Sequence, residues 1–364
     1  MKKVIDFIFV GILFVLMTLP LFFINTTETI SSSENRELAK LPTLVKDNEI
    51  NKELIGDFNN WLNDNIGFRE LMIKTFNISI YKIFNKTMSE DVIIGKDDWL
   101  FYQGEKKIAL KNYQNKKNYT EKQLKKILKN VKKLNSWCKQ QGVEFILMLI
   151  PNKEYVYSEF LPNGIYEINE TKNIDLVVNY IREHSDIKVV YPKNELLEMK
   201  NQGLVYYKYD THWNELGGYV GYKALMDTLG NEDVISLENV KKVSKSTSSG
   251  DLGKLSMLNN KLPIYSEIHM EFDNEAMLIY DDKAGNNAYQ IYENDLKSGS
   301  IFVMGDSFRT AMKPYLSRSF NKASFVHRRM NRFDEVKKEK PEVLVYEVVE
   351  RYIPQLMESM DINE

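Results

Sequence analysis

The sequence predicts an α/β fold, a mostly parallel sheet sandwiched by helices, placed behind one N-terminal transmembrane helix. Three observations carry that expectation. Residues 7–24 form an uninterrupted apolar run, and short, largely apolar segments recur at 143–150, 188–191, 301–304 and 342–349. Amphipathic stretches lie between those segments. Apolar runs without alternation suit strands buried on both faces. Such strands alternating with helices make a parallel sheet covered on both sides.

The run at 7–24 is just long enough to span a bilayer as one helix. Lys2 and Lys3 precede it, which holds the amino end in the cytoplasm. Asp6 sits at the interface, and Pro20 kinks the last turn. A cleaved signal peptide and a buried core helix are the competing readings; no small-x-small cleavage pattern follows the run. On the anchor reading, residues 1–27 are a cytoplasmic start and anchor, 28–90 a stalk with N-terminal helices, and 91–364 one large domain. The protein is then a single-pass cell-membrane protein with its main domain extracytoplasmic.

Along the chain, 25–50 is rich in Ser, Thr, Asn and Glu and reads as a linker. Leu54, Phe58, Trp61 and Leu62 recur at helical spacing, followed by Ile66, Phe68, Leu71, Met72 and Phe76. Two apolar runs around Gly-Lys-Asp-Asp make 91–102 a hairpin. Residues 119–141 form a helix with a lysine face, read as solvated; 172–185 and 214–229 are helical too. The last of these starts after a polar turn.

Composition excludes several functions. Lys+Arg 49 against Asp+Glu 51 leaves a charge of −2, so no broad basic face is available for nucleic acid. Hydrophobic residues at 43% and charged at 27% exclude wholesale disorder. Cys138 is the one cysteine, which removes disulfide frameworks and multi-cysteine metal sites and reads as a core residue. An imidazole, if the chemistry needs one, comes from His184, His212, His269 or His327. His184 and His269 have no acid partner at motif spacing and read as structural. His327 lies in a basic His-Arg-Arg stretch, read as a solvated face.

Two motifs carry chemistry. Gly-Asp-Ser-Phe-Arg, 305–309, directly follows a strand, where open α/β sheets place their ligands. A tight turn at Gly305 can aim the Ser307 hydroxyl and free N–H groups at one point, supplying a nucleophile and part of an oxyanion hole. The same residues also fit a helix N-cap. Tyr-Lys-Tyr-Asp-Thr-His-Trp-Asn, 207–214, sets Asp210 two residues before His212. The carboxylate can fix the imidazole tautomer and leave the other nitrogen to take a proton from serine. Here too a helix cap is an alternative, and a metal site a third, although two ligands are too few. No cofactor or metal is expected.

Asp-Thr-His-Trp upstream of Gly-Asp-Ser-Phe, behind an amino-terminal anchor, resembles the AlgJ/AlgX-type polysaccharide O-acetyltransferase family. Its domain is related to SGNH hydrolases, with the motif order permuted. Stretches 94–102, 150–153, 249–253 and 345–351 are similar as well, so the resemblance spans about residues 33–352. It implies an SGNH hydrolase-like catalytic domain that acetylates an extracytoplasmic polysaccharide, with Ser307 as nucleophile, His212 as general base and acid, and Asp210 as orienting carboxylate. It further implies a multipass membrane acyltransferase as the source of acetyl groups. Asn152 and Lys153 are candidates to reach the oxyanion or substrate, or turn residues. Trp213, Tyr207 and Tyr209 are candidates to exclude water and stack on sugar. Arg309 and Arg328 fit either an anionic sugar or a surface ion pair. A carbohydrate acetyl-esterase uses the same triad, and a non-catalytic scaffold subunit of an export complex is the reading from a different class.

Overall fold

The computed structural model describes residues 2–31, 36–46, 49–104, 108–114, 117–168, 171–273, 276–285 and 288–358. Parts of the expected linker, 32–35 and 47–48, lie outside the described residues. The chain divides into two compact units, 1–88 and 89–364.

In the first unit, helix α1 (Lys2–Thr18) passes into a 3-10 turn at Leu19–Phe23, where Pro20 lacks the N–H that an α-helix needs. Val4–Phe23 is long and apolar enough to cross a membrane, and almost none of it is buried. Helices α2 (Leu54–Asn65) and α3 (Arg69–Phe84) follow. Gly67 between them donates to the Pro20 carbonyl at 3.0 Å, and a Cβ there would come within 2.6 Å of the Phe23 carbonyl oxygen. Between α1 and α2, the described part of 25–50 holds only two-residue strand pairs.

The second unit is built on one seven-stranded sheet. Its strands are β1 (Glu144–Ile150), β2 (Lys188–Val190), β3 (Met277–Asp281), β4 (Gln290–Glu293), β5 (Ser300–Gly305), β6 (Lys322–His327) and β7 (Val343–Val349). They lie in the order β3-β4-β6-β5-β7-β1-β2. From β6 to β2 the pairing is parallel, while β4 and β3 add an antiparallel edge. The sheet is therefore mostly parallel, as the sequence leads one to expect.

Helices α4 (Glu121–Gln141), α5 (Asn173–His184), α6 (Glu215–Leu229), α7 (Arg309–Ser319) and α8 (Phe333–Glu339) cover it on two sides. Strand side chains alternate between them. Phe145, Leu147 and Leu149 of β1 face α4 and α5, packing with Ile127, Val131 and Val177. Ile146, Met148 and Ile150 face α6, packing with Trp213, Tyr222 and Leu225. This two-sided burial is why β1 after Glu144 reads as an unbroken apolar run and β7 as one interrupted only by Glu347. Helix α4 starts on a capping box, with Thr120 and Gln123 bonding each other's backbone N–H groups, and ends at Gly142 with φ +73°. Cys138 is buried on its inner face, and burial pushes its thiol up to about 12, so it is inert core.

One contact fixes how closely the two functional segments approach. Gly218 of α6 lies against Ala311 of α7, and a Cβ at 218 would sit 2.5 Å from both the Ala311 side chain and its carbonyl oxygen. His212 precedes α6 and Ser307 precedes α7, so this near-touching of helices sets the gap between them. Gly218→Val should force the helices apart, costing roughly 1–3 kcal/mol and lowering activity more than stability. Denaturant unfolding and an activity assay on the same preparation check this; a fully active variant would contradict it.

Candidate active site

The loop before α6 is a tight return. Tyr206 and Trp213 pair as an isolated antiparallel bridge, Tyr207 N–H donates to the His212 carbonyl at 3.2 Å, and Asn214 N–H to Val205 at 3.0 Å. Asp210 and Thr211 occupy its tip. Asn214, not Asp210 or Thr211, caps α6 by accepting from Gly217 N–H at 3.0 Å. That leaves the Asp210 carboxylate to His212.

The geometry of the three residues is direct. His212 Nδ1 lies 2.6 Å from Asp210 Oδ1, and His212 Nε2 lies 2.6 Å from Ser307 Oγ. Asp210 Oδ1 also accepts the His212 backbone N–H at 3.0 Å, and its Oδ2 accepts Asp251 N–H at 2.9 Å. Burial alone would raise the Asp210 carboxyl, but the His212 hydrogen bond and charge, with the two N–H groups, overcome it and hold it well below the usual carboxylate range. The anion fixes Nδ1 as the protonated nitrogen and turns the Nε2 lone pair towards serine.

Beneath Ser307, Asp306 is buried and accepts Phe308 N–H at 3.1 Å and Val349 N–H at 2.9 Å. These bonds tie the serine turn to the end of β7. The helix-cap reading therefore fits Asp306, while the Ser307 hydroxyl faces His212. The Ser307 N–H has no hydrogen-bond partner among the described residues.

Asp251 is the residue that motif reading missed. It accepts Thr211 N–H at 2.8 Å and the Thr211 hydroxyl at 2.6 Å, and lies 3.5 Å from His212 Nδ1. Burial and the Asp210 charge raise its carboxyl. Its only trace in the sequence is the Ser-Gly-Asp-Leu-Gly stretch, 41 residues beyond Asp210, too far for any spacing rule. Asp210, His212 and Asp251 are close enough together to hold a metal ion. However, Asp210 and Asp251 already accept from the histidine and from backbone and hydroxyl donors, which suits a hydrogen-bonded relay better than an ion site.

Several expected substrate residues turn out to be supports. Lys153 is buried, and its ammonium donates to the carbonyls of Tyr207, Lys208 and Asp210 at 3.2, 3.2 and 2.7 Å. It also lies over the rings of Trp99 and Phe101, in the hairpin Val92–Ile94/Leu100–Tyr102. Lys153 thus clips that hairpin to the Asp210 loop, and burial lowers it to about 8. Asn152 is buried, its N–H donating to Glu350 Oε2 at 2.9 Å. Trp213 is buried with Nε1 donating to the Phe308 carbonyl at 2.8 Å, so it braces the serine turn from below. Tyr209 is buried and donates to Pro263, which removes it as a stacking platform. Arg309 turns inward to the Asp306 carbonyl at 2.6 Å, and Arg328 to Gln355 at 2.6 Å. Tyr207 alone of the expected aromatics stays half-exposed on the cavity over Ser307.

His184 stacks on Tyr180 and bonds its carbonyl, a structural role. His269 finds a carboxylate partner through the fold rather than at motif spacing, with Nδ1 2.6 Å from Glu215 Oε1.

Glu350, at the end of β7, carries a pH signature. Burial first, then the Glu154 charge, pushes its carboxyl up to about 7. The folded state therefore holds a proton that the unfolded chain releases near pH 4.3. Stability is greatest below that point and falls as pH rises towards 7. Glu350→Gln keeps an acceptor for Asn152 and should flatten the fall, gaining on the order of 1–3 kcal/mol at pH 8 relative to pH 5. Urea unfolding at the two pH values measures it; parallel curves for both proteins would refute it.

Comparison with known proteins matches this architecture. Residues 92–323 fit the family model described as ALGX, SGNH hydrolase-like domain, acetyltransferase AlgX. A 158-residue stretch is 24% identical to the probable alginate O-acetylase AlgJ of Pseudomonas putida, covering 43% of this chain and 38% of that protein. The chain thus spans well under half the length of that curated relative. Two solved structures share the fold. A DHHW family protein from Eubacterium siraeum has a TM-score of 0.51 and 16% identity, covering 65% of this chain and 90% of that one. Bacillus cereus PatB1 has a TM-score of 0.50 and 18% identity, covering 72% and 96%.

Proposed function

Because the chain belongs to the AlgX family of SGNH hydrolase-like acetyltransferase domains, we propose that it moves acetyl groups onto hydroxyls of an extracytoplasmic polysaccharide. The observation that carries this reading is His212 held at 2.6 Å from both Asp210 and Ser307. In the first step His212 Nε2 takes the Ser307 proton while Oγ attacks the acetyl carbonyl carbon. The donor's leaving oxygen departs with that proton, leaving acetyl-Ser307. The free Ser307 N–H is suited to the developing oxyanion. In the second step a sugar hydroxyl gives its proton to His212 and attacks the acetyl carbon. The bond to Oγ breaks, and the proton returns to Ser307.

The Val4–Phe23 helix serves in this reading as an uncleaved anchor that keeps the 89–364 unit on the outer side. A multipass membrane acyltransferase supplies the acetyl groups. An apolar wall of Phe272, Ala311 and Pro314 beside the serine favours a sugar over water in the second step.

The test incubates the full chain in detergent with an acetyl ester, with and without oligosaccharide. Acetylated sugar that requires Ser307 supports transfer. Free acetate alone, unchanged by sugar, would replace this reading with an acetyl-esterase. Unaltered acetylation of the cell's polymer in a Ser307→Ala strain would replace it with a scaffold.

A further inference from the structure

A second imidazole stands in the cavity that holds the first. The space over Ser307, about 470 Å³, is lined by His212 and also by His269 and Glu215. Glu215 is the first residue of α6. Its Oε1 lies 2.6 Å from His269 Nδ1, and its Oε2 accepts Met270 N–H at 2.5 Å. One carboxylate thus clamps the ribbon strand Tyr265–Glu271 to the helix that follows His212. With Nδ1–H donated to Glu215, the ring presents Nε2 as an acceptor, and that atom has no hydrogen-bond partner among the described residues.

His269 also stands where this space meets a second one of about 610 Å³. Both are lined by His269, Met270, Phe272, Thr310 and Pro314, and the second continues past Tyr292 and Lys313. A polymer needs a groove longer than one sugar, and this junction is where an incoming chain would pass on its way to Ser307.

We propose that His269, oriented by Glu215, is the acceptor-binding residue of this site and selects a vicinal diol. The inference rests on the acetyl-transfer reading above. The attacking hydroxyl has one proton, which goes to His212, so a second imidazole in the same cavity must meet a different polar group. On a sugar the nearest is the neighbouring hydroxyl, which donates to His269 Nε2. No proton is transferred to His269, and no bond to it forms or breaks.

The experiment uses the full chain in detergent, p-nitrophenyl acetate as donor, and cyclohexane-1,2-diol or cyclohexanol as acceptor. Wild type should acetylate the diol about tenfold more efficiently than the mono-alcohol, as one hydrogen bond worth about 1.4 kcal/mol allows. His269→Ala and His269→Leu should both reduce that ratio to within about twofold of unity, through KM for the diol. The nitrophenol burst, which reports the acetyl-serine step, should stay within about twofold of wild type. A ratio retained in either variant, a burst that falls in step with transfer, or no diol preference in wild type would overturn the proposal. Free acetate as the sole product with either acceptor would instead overturn the transferase reading itself.

Discussion

Ser307→Ala should remove acetyl transfer, with an expected fall of about 10⁴-fold or more. Among the described residues, the serine oxygen is the atom at hydrogen-bond distance from His212 Nε2, at 2.6 Å, and methyl cannot accept an acetyl group. Stability should change by less than about 1 kcal/mol, because one half-buried hydrogen bond is lost and no cavity opens. His212→Ala should cost as much, and the double variant no more than either alone, since the two act as one unit. Initial rates of p-nitrophenol release with each purified variant provide the check. A single variant that retains a tenth of wild-type activity would break the account.

Asp210→Asn carries the second large effect, an expected fall of about 10³- to 10⁴-fold in kcat with little change in KM. Both carboxylate oxygens of Asp210 accept: Oδ1 from the His212 ring and backbone, Oδ2 from Asp251 N–H. An amide can accept on one side only. With its oxygen towards His212, its NH₂ meets the Asp251 N–H, donor against donor. Flipped, the NH₂ meets Nδ1, which then gives up its proton, and Nε2–H points at serine with no lone pair to take the Ser307 proton. Asp251→Asn offers the contrast. Its carboxylate bonds Thr211 rather than the ring, and an amide can serve the Thr211 hydroxyl as donor, so a loss of no more than about tenfold is expected. Equal losses in the two variants would show that Asp210 acts only through loop geometry.

The parts of the fold that were legible in the sequence are those where burial is two-sided. Strands β1, β5 and β7 are buried on both faces, and each stands out as an apolar run. The antiparallel edge, β4 and β3, was not legible. Strand β3 is exposed, β4 half-exposed, and the ribbon strand Lys241–Thr247 reads Lys-Lys-Val-Ser-Lys-Ser-Thr, with no residue buried. Those segments are held by backbone pairing to a neighbour, for which no hydrophobic period is needed.

At the site the same division holds. Asp210 and His212 lie two residues apart, a spacing that chemistry makes recognisable, and Ser307 follows a readable strand. Asp251 and the Glu215–His269 pair are assembled only by the fold, across 41 and 54 residues. The roles of Lys153, Trp213 and Arg309 stayed open in the sequence for a different reason. A long cationic or aromatic side chain near a motif can turn inward as easily as outward, and here each is buried against backbone carbonyls.

The proposed reaction passes through a covalent acetyl-serine, and the mass of the protein tests it most directly. Full-length protein mixed with excess acetyl ester, quenched in acid within the burst and digested, should show one added acetyl group on the peptide containing Ser307. The modification should be missing from Ser307→Ala and should disappear from wild type when acceptor is added before the quench. Turnover of the ester with no acetylated peptide, or with acetyl on another residue, would contradict the central claim.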